Sequence, residues 1–221
     1  MIYGDDNLKL NYQRLLDEKL SKIKETGARP RLLLHSCCAP CSSHVIEYLS
    51  SYFDITVYFY NPNIHPEDEY GKRAIEQKEF IERFPPAQSV LFAEGEYDAE
   101  RFFELSRGLE NEPEKGERCT VCFKMRLEKA AQYAFEHGFD YFTTTLSISP
   151  HKDATLLNEL GEEIEKEKGV EYLHSDFKKK NGYKRSSELS SEYGLYRQDY
   201  CGCVFSRLES DKRNSMNNKP E

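Results

Sequence analysis

Apolar positions along this chain switch between helical spacing and short unbroken runs. Leu8, Tyr12, Leu15, Leu16, Leu20 and Ile23 fall near helical spacing, which predicts an amphipathic helix over 8–26. The run Arg31-Leu32-Leu33-Leu34-His35 predicts a short buried strand, and Val45, Ile46, Leu49 and Phe53 give one apolar face to a helix over 42–53. The same reading predicts strands over 55–60, 89–92, 141–146 and 170–173, and helices over 67–84, 98–106, 120–137, 152–168 and 186–193. Residues 206–221 are polar and read as a frayed tail.

Strands alternating with helices predict an α/β fold, a doubly wound and mostly parallel sheet covered on both faces. The expected organisation is one α/β domain over 29–205, with an N-terminal helix over 1–28 and the polar tail after it. Ligands of such sheets sit beyond the carboxyl ends of the strands, at the point where strand order reverses. Three polar segments, 35–41, 61–66 and 147–153, each follow a predicted strand, so they gather on one edge as the candidate active face. No GxxxxGK[ST] or GxGxxG segment occurs, which leaves a P-loop or dinucleotide fingerprint without support.

Net charge changes the picture little. At -8, with a pI near 5.4, the chain is no general nucleic-acid coat protein, yet a local basic groove stays compatible with it. The polar start at Met1-Ile2-Tyr3-Gly4-Asp5-Asp6 and the lack of a bilayer-length apolar run lead us to expect a cytoplasmic, reducing location with no membrane contact.

Cysteine changes it most. Six of the seven cysteines fall in three knots: Cys37-Cys38 with Cys41 nearby, Cys119-Thr120-Val121-Cys122, and Cys201-Gly202-Cys203. An odd count in a chain of this length argues against a disulfide framework. Thiolates grouped this closely bind soft metals or carry out redox chemistry. Cys119 and Cys122 open a predicted helix, whose N-terminus favours thiolates. With Cys37 and Cys38 they supply four thiolates, the count for a four-iron cluster, while structural zinc and redox thiols stay open. A disulfide between Cys201 and Cys203 would be strained and labile; the pair could equally hold a metal or be two buried thiols. Cys41 fits a core role as well as ligation.

The segments His35-Ser36-Cys37-Cys38-Ala39-Pro40-Cys41, Tyr60-Asn61-Pro62-Asn63-Ile64-His65-Pro66, Arg118-Cys119-Thr120-Val121-Cys122, Thr145-Leu146-Ser147-Ile148-Ser149-Pro150-His151-Lys152-Asp153 and Tyr196-Arg197-Gln198-Asp199-Tyr200-Cys201-Gly202-Cys203 resemble those of the iron–sulfur, cobalamin-independent epoxyqueuosine reductases of the QueH type. The resemblance covers 31–205. It implies the last step of queuosine formation, a two-electron removal of the epoxide oxygen from epoxyqueuosine at the anticodon wobble position of tRNA. It also implies a nucleotide-hydrolase-like, Rossmann-like sheet, a 4Fe-4S cluster with an adjacent mononuclear iron, and an electron donor that the sequence does not identify.

Carried over by residue, Cys37, Cys38, Cys119 and Cys122 are the cluster ligands. Cys201 and Cys203 are the redox pair or partners of the second iron. Asp153, Asp199, His35 and His151 are candidate proton donors or further ligands, with capping or surface roles as the plain alternative. Lys152 is a candidate phosphate contact. Lys178, Lys179, Lys180, Lys184 and Arg185 form the one strong basic run, a candidate tRNA footprint. Tyr183 and Tyr196 are candidate stacking platforms for splayed bases. The rival readings are a zinc-stabilised, non-catalytic RNA-binding module and a tRNA thiolation enzyme on a related fold. The latter needs a Gly- and Ser-rich ATP loop where His35-Ser36-Cys37-Cys38 stands.

Overall fold

A computed structural model describes residues 10–217. Five strands, β1 (Arg31–His35), β2 (Asp54–Phe59), β3 (Leu91–Glu94), β4 (Tyr141–Thr144) and β5 (Glu171–Tyr172), form one sheet in the order β3-β2-β1-β4-β5. Every pairing is parallel, with Leu33 opposite Thr56 on one side and Phe142 on the other. Eight helices complete the described chain: α1 (Tyr12–Thr26), α2 (Ala39–Leu49), α3 (Glu67–Arg83), α4 (Ala99–Leu105), α5 (Glu117–Glu136), α6 (Ala154–Lys168), α7 (Gly182–Glu192) and α8 (Val204–Asn217). The doubly wound α/β expectation therefore holds.

The pleat of β1 sorts the core into two layers. Leu32 and Leu34 join Leu16 and Leu20 of α1 and Val45, Ile46 and Leu49 of α2. Leu33 faces the opposite layer, with Phe123, Leu127 and Ala131 of α5 and Leu157 and Ile164 of α6. All three strand leucines are fully buried, the mark of a central parallel strand, and each such burial stabilises by roughly 1.5–3 kcal/mol. The Ala-rich face of α5 (Ala130, Ala131 and Ala134) lets that helix lie close on the sheet.

The sequence boundaries shift in ways that matter. The first helix starts at Tyr12, capped by Asn11, whose side chain accepts from the Arg14 amide; Leu8 lies outside the described residues. α2 begins at Ala39, so Cys41 stands in its first turn. α5 begins at Glu117, two residues before Cys119. The strand expected over 141–146 stops at Thr144 and passes into a 3₁₀ turn, Thr145–Ile148. Helix α8 occupies most of the stretch read as a frayed tail. Its periodicity was hidden because buried Ser206 and Ser210, rather than apolar residues, mark its inner face.

Gly161 of α6 lies against the ring of Tyr172 on β5, and a Cβ there would fall inside contact distance of Tyr172 Cδ1. Gly161→Ala is expected to destabilise the protein by about 1–3 kcal/mol through overpacking, although alanine is the better helix former by about 1 kcal/mol. A denaturant titration checks this; an unchanged or raised midpoint would show that the ring moves freely.

Candidate active site

The sheet reverses its strand order between β1 and β4, and the loops leaving these strands diverge there. The thiols gather at this point. After β1 the chain bends at Cys37, is extended at Cys38, and then turns into α2 with Pro40 in its first turn. This brings the sulfurs of Cys37, Cys38 and Cys41 within 4.8 Å of one another, those of Cys37 and Cys38 being 3.8 Å apart. Hydrogen bonds from Cys38 and Cys41, and then the nearby Arg126 charge, hold the Cys37 thiol well below its ordinary pKa; Cys38 and Cys41 are pushed up in return.

The turn is braced from beneath. Asn61 Nδ2 donates to the Ser36 carbonyl (2.8 Å), and Ser36 Oγ donates to Gln77 Oε1 of α3 (2.7 Å). His35 is fully buried, with Nδ1 2.8 Å from Thr144 Oγ1 and Nε2 3.1 Å from the Tyr60 carbonyl. Burial, then the Arg126 charge, lowers its pKa to about 4, so the ring is neutral. With both nitrogens engaged, His35 pins the ends of β1, β2 and β4 together; it is placed neither to ligate nor to donate a proton.

A second set of thiols lies beside the first. Cys119, Cys122, Cys201 and Cys203 line one small void together with Asn63 and Phe123. Cys119 Sγ accepts from the Lys115 amide (3.3 Å), and Cys203 Sγ accepts from the Ser206 amide (3.3 Å) at the start of α8. Burial pushes the Cys122 thiol up to about 12. Cys201 also lines the larger cavity of about 540 Å³ that holds the first trio, so it stands between the two sets.

Gly202, between Cys201 and Cys203, has φ +112°, a conformation that side-chain-bearing residues rarely adopt. A Cβ there would meet Ile64 Cγ1 at 3.0 Å and Arg73 Nη1 at 3.1 Å. Its carbonyl accepts from the His65 amide (3.0 Å), which ties the Cys-Gly-Cys turn to the loop after β2.

Buried cations surround the sulfur. Arg126 of α5 is 1% exposed and lines the cavity; its Nε donates to the Cys122 carbonyl (3.2 Å), and its Nη2 has no partner among the described residues. Lys152 donates to Cys201 Sγ (3.0 Å) and lies 3.6 Å from Glu114 Oε1. Burial opposes its charge, but the Cys201 sulfur and Glu114 outweigh it and raise the Lys152 pKa, so the amine stays protonated. Arg73 of α3, also buried, donates to Glu69 (2.6 Å) and lines the same cavity. A buried guanidinium with one nitrogen, Nη2, left without a partner beside a cluster of thiols suits a bound centre of negative charge, and sulfur donors suit soft metals. The residues present therefore fit a thiolate-bound metal centre.

The remaining sequence candidates fall into different roles. Asp153 caps α6, accepting from the Thr155 amide at 2.8 Å. Asp199 is exposed at the cavity rim and accepts from Ser210 Oγ (2.8 Å) and Asn214 Nδ2 (3.2 Å) of α8. His151 lines the cavity and is exposed. Lys152, read from the sequence as a phosphate contact, is instead buried among the thiols. In the basic run, Lys178 pairs with Asp176, Lys180 with Asp17 and Arg185 with Glu47, which leaves Lys179 and Lys184 without an ion pair among the described residues. Tyr183 lines the cavity and Tyr196 lines a neighbouring one. Arg73 and Arg126 had no signal in the sequence, where an arginine on a charged helix reads as solvated.

The family model described as epoxyqueuosine reductase QueH matches residues 32–209. "Epoxyqueuosine reductase QueH" of Staphylococcus epidermidis is 48% identical over 207 residues, covering 92% of this chain and 87% of the relative. The protein of the same name from Streptococcus pyogenes is 48% identical over 201 residues, covering 90% and 79%. That of Thermotoga maritima is 36% identical over 187 residues, covering 83% and 94%. The span matched by the model contains every thiol of both sets, and on this breadth of similarity the chain belongs to the QueH epoxyqueuosine reductase family.

Proposed function

We propose that this chain reduces epoxyqueuosine in tRNA to queuosine, at the cavity where the two thiol sets meet. The observation that carries the reading is the Cys37, Cys38 and Cys41 trio lining that cavity in a chain of this family. Family membership favours the reductase over a zinc-held binding module or a thiolation enzyme.

Converting an epoxide to an alkene takes two electrons and two protons and releases the oxygen as water. The residues that would hold an iron–sulfur centre and an adjacent iron come from the two sets: Cys37, Cys38 and Cys41 from one, Cys119, Cys122, Cys201 and Cys203 from the other. Such a centre, when bound, supplies electrons and a Lewis acid for the departing oxygen. The chain itself supplies the rest. Lys152 Nζ carries a proton beside Cys201. Arg126 holds a fixed positive charge in the cavity wall, suited to an oxygen that turns anionic as it departs, and it cannot lose its proton. Leu146 and Ile148, from the turn after β4, give the cavity an apolar wall. At about 540 Å³ the cavity is within the usual range for a small-molecule site, so it suits one nucleoside drawn out of its strand. Cys201 and Cys203 remain the redox pair or the partners of the second iron, with Cys201 the member that faces the cavity.

Protein loaded with iron and sulfide without oxygen, given a chemical reductant and tRNA bearing epoxyqueuosine, is expected to yield a nucleoside lighter by one oxygen atom on mass analysis of the digested RNA. Iron-loaded protein that leaves the epoxide intact under these conditions would refute the reading.

A further inference from the structure

A second cavity of about 400 Å³ lies beside the first, and Asp199 and Tyr200 line both. Lys72 of α3, Tyr196, and Arg207 and Asp211 of α8 form much of the rest of its wall. It contains no thiol, so reduction has no use for it. Cations brace its aromatic rings: Lys72 Nζ lies 3.3 Å from the Tyr196 ring centroid, and the Arg73 guanidinium lies 5.3 Å from that of Tyr200.

Charge separates the two cavities. In the second, Glu69 is paired with Arg73, which leaves the carboxylates of Asp68, Asp199 and Asp211 to face Lys72 and Arg207; Asp199 also accepts from Ser210 and Asn214. Three negative groups thus stand against two positive ones. The first cavity is cationic: Arg197 and Arg213 stand at its exposed mouth above buried Arg73, Arg126 and Lys152, against Glu114 and Asp199. An uncharged base with N–H groups to offer suits the mildly acidic groove, and a phosphate suits the cationic mouth.

We infer that the second cavity is a subsite for the nucleobase next to the reacting nucleoside in the RNA strand. The base stacks on Tyr196 beside Tyr200, its N–H edge meets the carboxylates of Asp68 and Asp211, and the phosphate joining the two nucleotides lies at Arg197 and Arg213. The assignment rests on the reductase reading, because that reading puts a single-stranded RNA segment at the first cavity. It also moves the RNA footprint from the 178–185 run, where three of the five basic side chains are already ion-paired, to the α3–α8 face.

The test measures the Kd of an anticodon stem-loop RNA carrying epoxyqueuosine for the iron-loaded protein, by fluorescence anisotropy without oxygen. Tyr196→Ala is expected to weaken binding about tenfold, the lower part of the range for one stacked base, while iron content stays unchanged and Tyr196→Phe binds normally. An abasic residue on one side of the epoxyqueuosine should weaken wild-type binding to the same degree, and Tyr196→Ala should then add nothing. Arg197→Gln should lower the slope of log Kd against log salt by roughly one. Equal affinity of Tyr196→Ala and wild type for intact RNA would overturn the subsite, as would a Tyr196→Ala effect that persists in full with both abasic RNAs. Wild-type protein that binds the RNA but never reduces it would instead overturn the reductase reading.

Discussion

Cys41→Ala is expected to lose most of its iron on anaerobic reconstitution and to fall more than about 100-fold in turnover, past the 10–100-fold typical of residues that only support metal ligands. The expectation comes from geometry: the Cys41 sulfur lies within 4.8 Å of those of Cys37 and Cys38, close enough for one centre to be shared by all three. Ser43→Ala, two residues further along α2, is the comparison. Its hydroxyl donates only to the Pro40 carbonyl (2.9 Å), so that variant should retain iron and activity. Iron and sulfide determination with turnover separates the cases. A Cys41→Ala protein with full iron content would make Cys41 a packing residue and leave Cys37 and Cys38 to ligate without it.

The second large effect is expected at Lys152. Lys152→Met keeps most of the side chain's length and apolar contact but removes the ammonium that sits 3.0 Å from Cys201 Sγ. Loss of a positioned proton carrier lowers a rate by about 100- to 10,000-fold. Turnover of epoxyqueuosine tRNA should fall by that amount, while iron content and RNA affinity stay near wild type. If affinity falls and turnover at saturating RNA does not, Lys152 contacts the RNA, as the sequence alone suggested. Removing a buried cation next to a thiol also destabilises that thiolate, so the iron determination is what assigns any lost turnover to the proton.

The fold was legible because its signals are local. The leucine run of β1 and the spaced apolar residues of α1 and α2 each predict their element without help from the rest of the chain. The cysteine knots were legible for the same reason. What the sequence concealed depends on distant partners. Three of the basic residues in the 178–185 run are neutralised by Asp17, Glu47 and Asp176, of which the first two are more than 130 residues away. Lys152 directly follows exposed His151 in a polar loop, and only folding turns it inward to Cys201. Asp153 serves as the N-cap of α6, a role aspartate ordinarily prefers. Cys41 stayed ambiguous because α2 starts three residues earlier than its apolar face suggests, and that offset places the sulfur beside the other two.

The two thiol sets differ in how far apart their members lie along the chain. Cys37, Cys38 and Cys41 span five consecutive positions at one strand-to-helix junction, whereas the second set joins α5 to residues just ahead of α8. A contact closed by so short a loop carries little entropic cost, and the groups that brace its turn, Asn61 and Gln77, follow with the next strand and helix. During synthesis the ribosome must then add roughly 160 more residues before Cys203 emerges, about 8 to 32 s at 5–20 residues per second. Throughout that interval the three cysteines are made but Arg197, Tyr200 and Arg213, which line the same cavity, are not. Maturation thus has an order written into the chain: three sulfurs able to capture metal are made first, and their shelter from oxidants is made last.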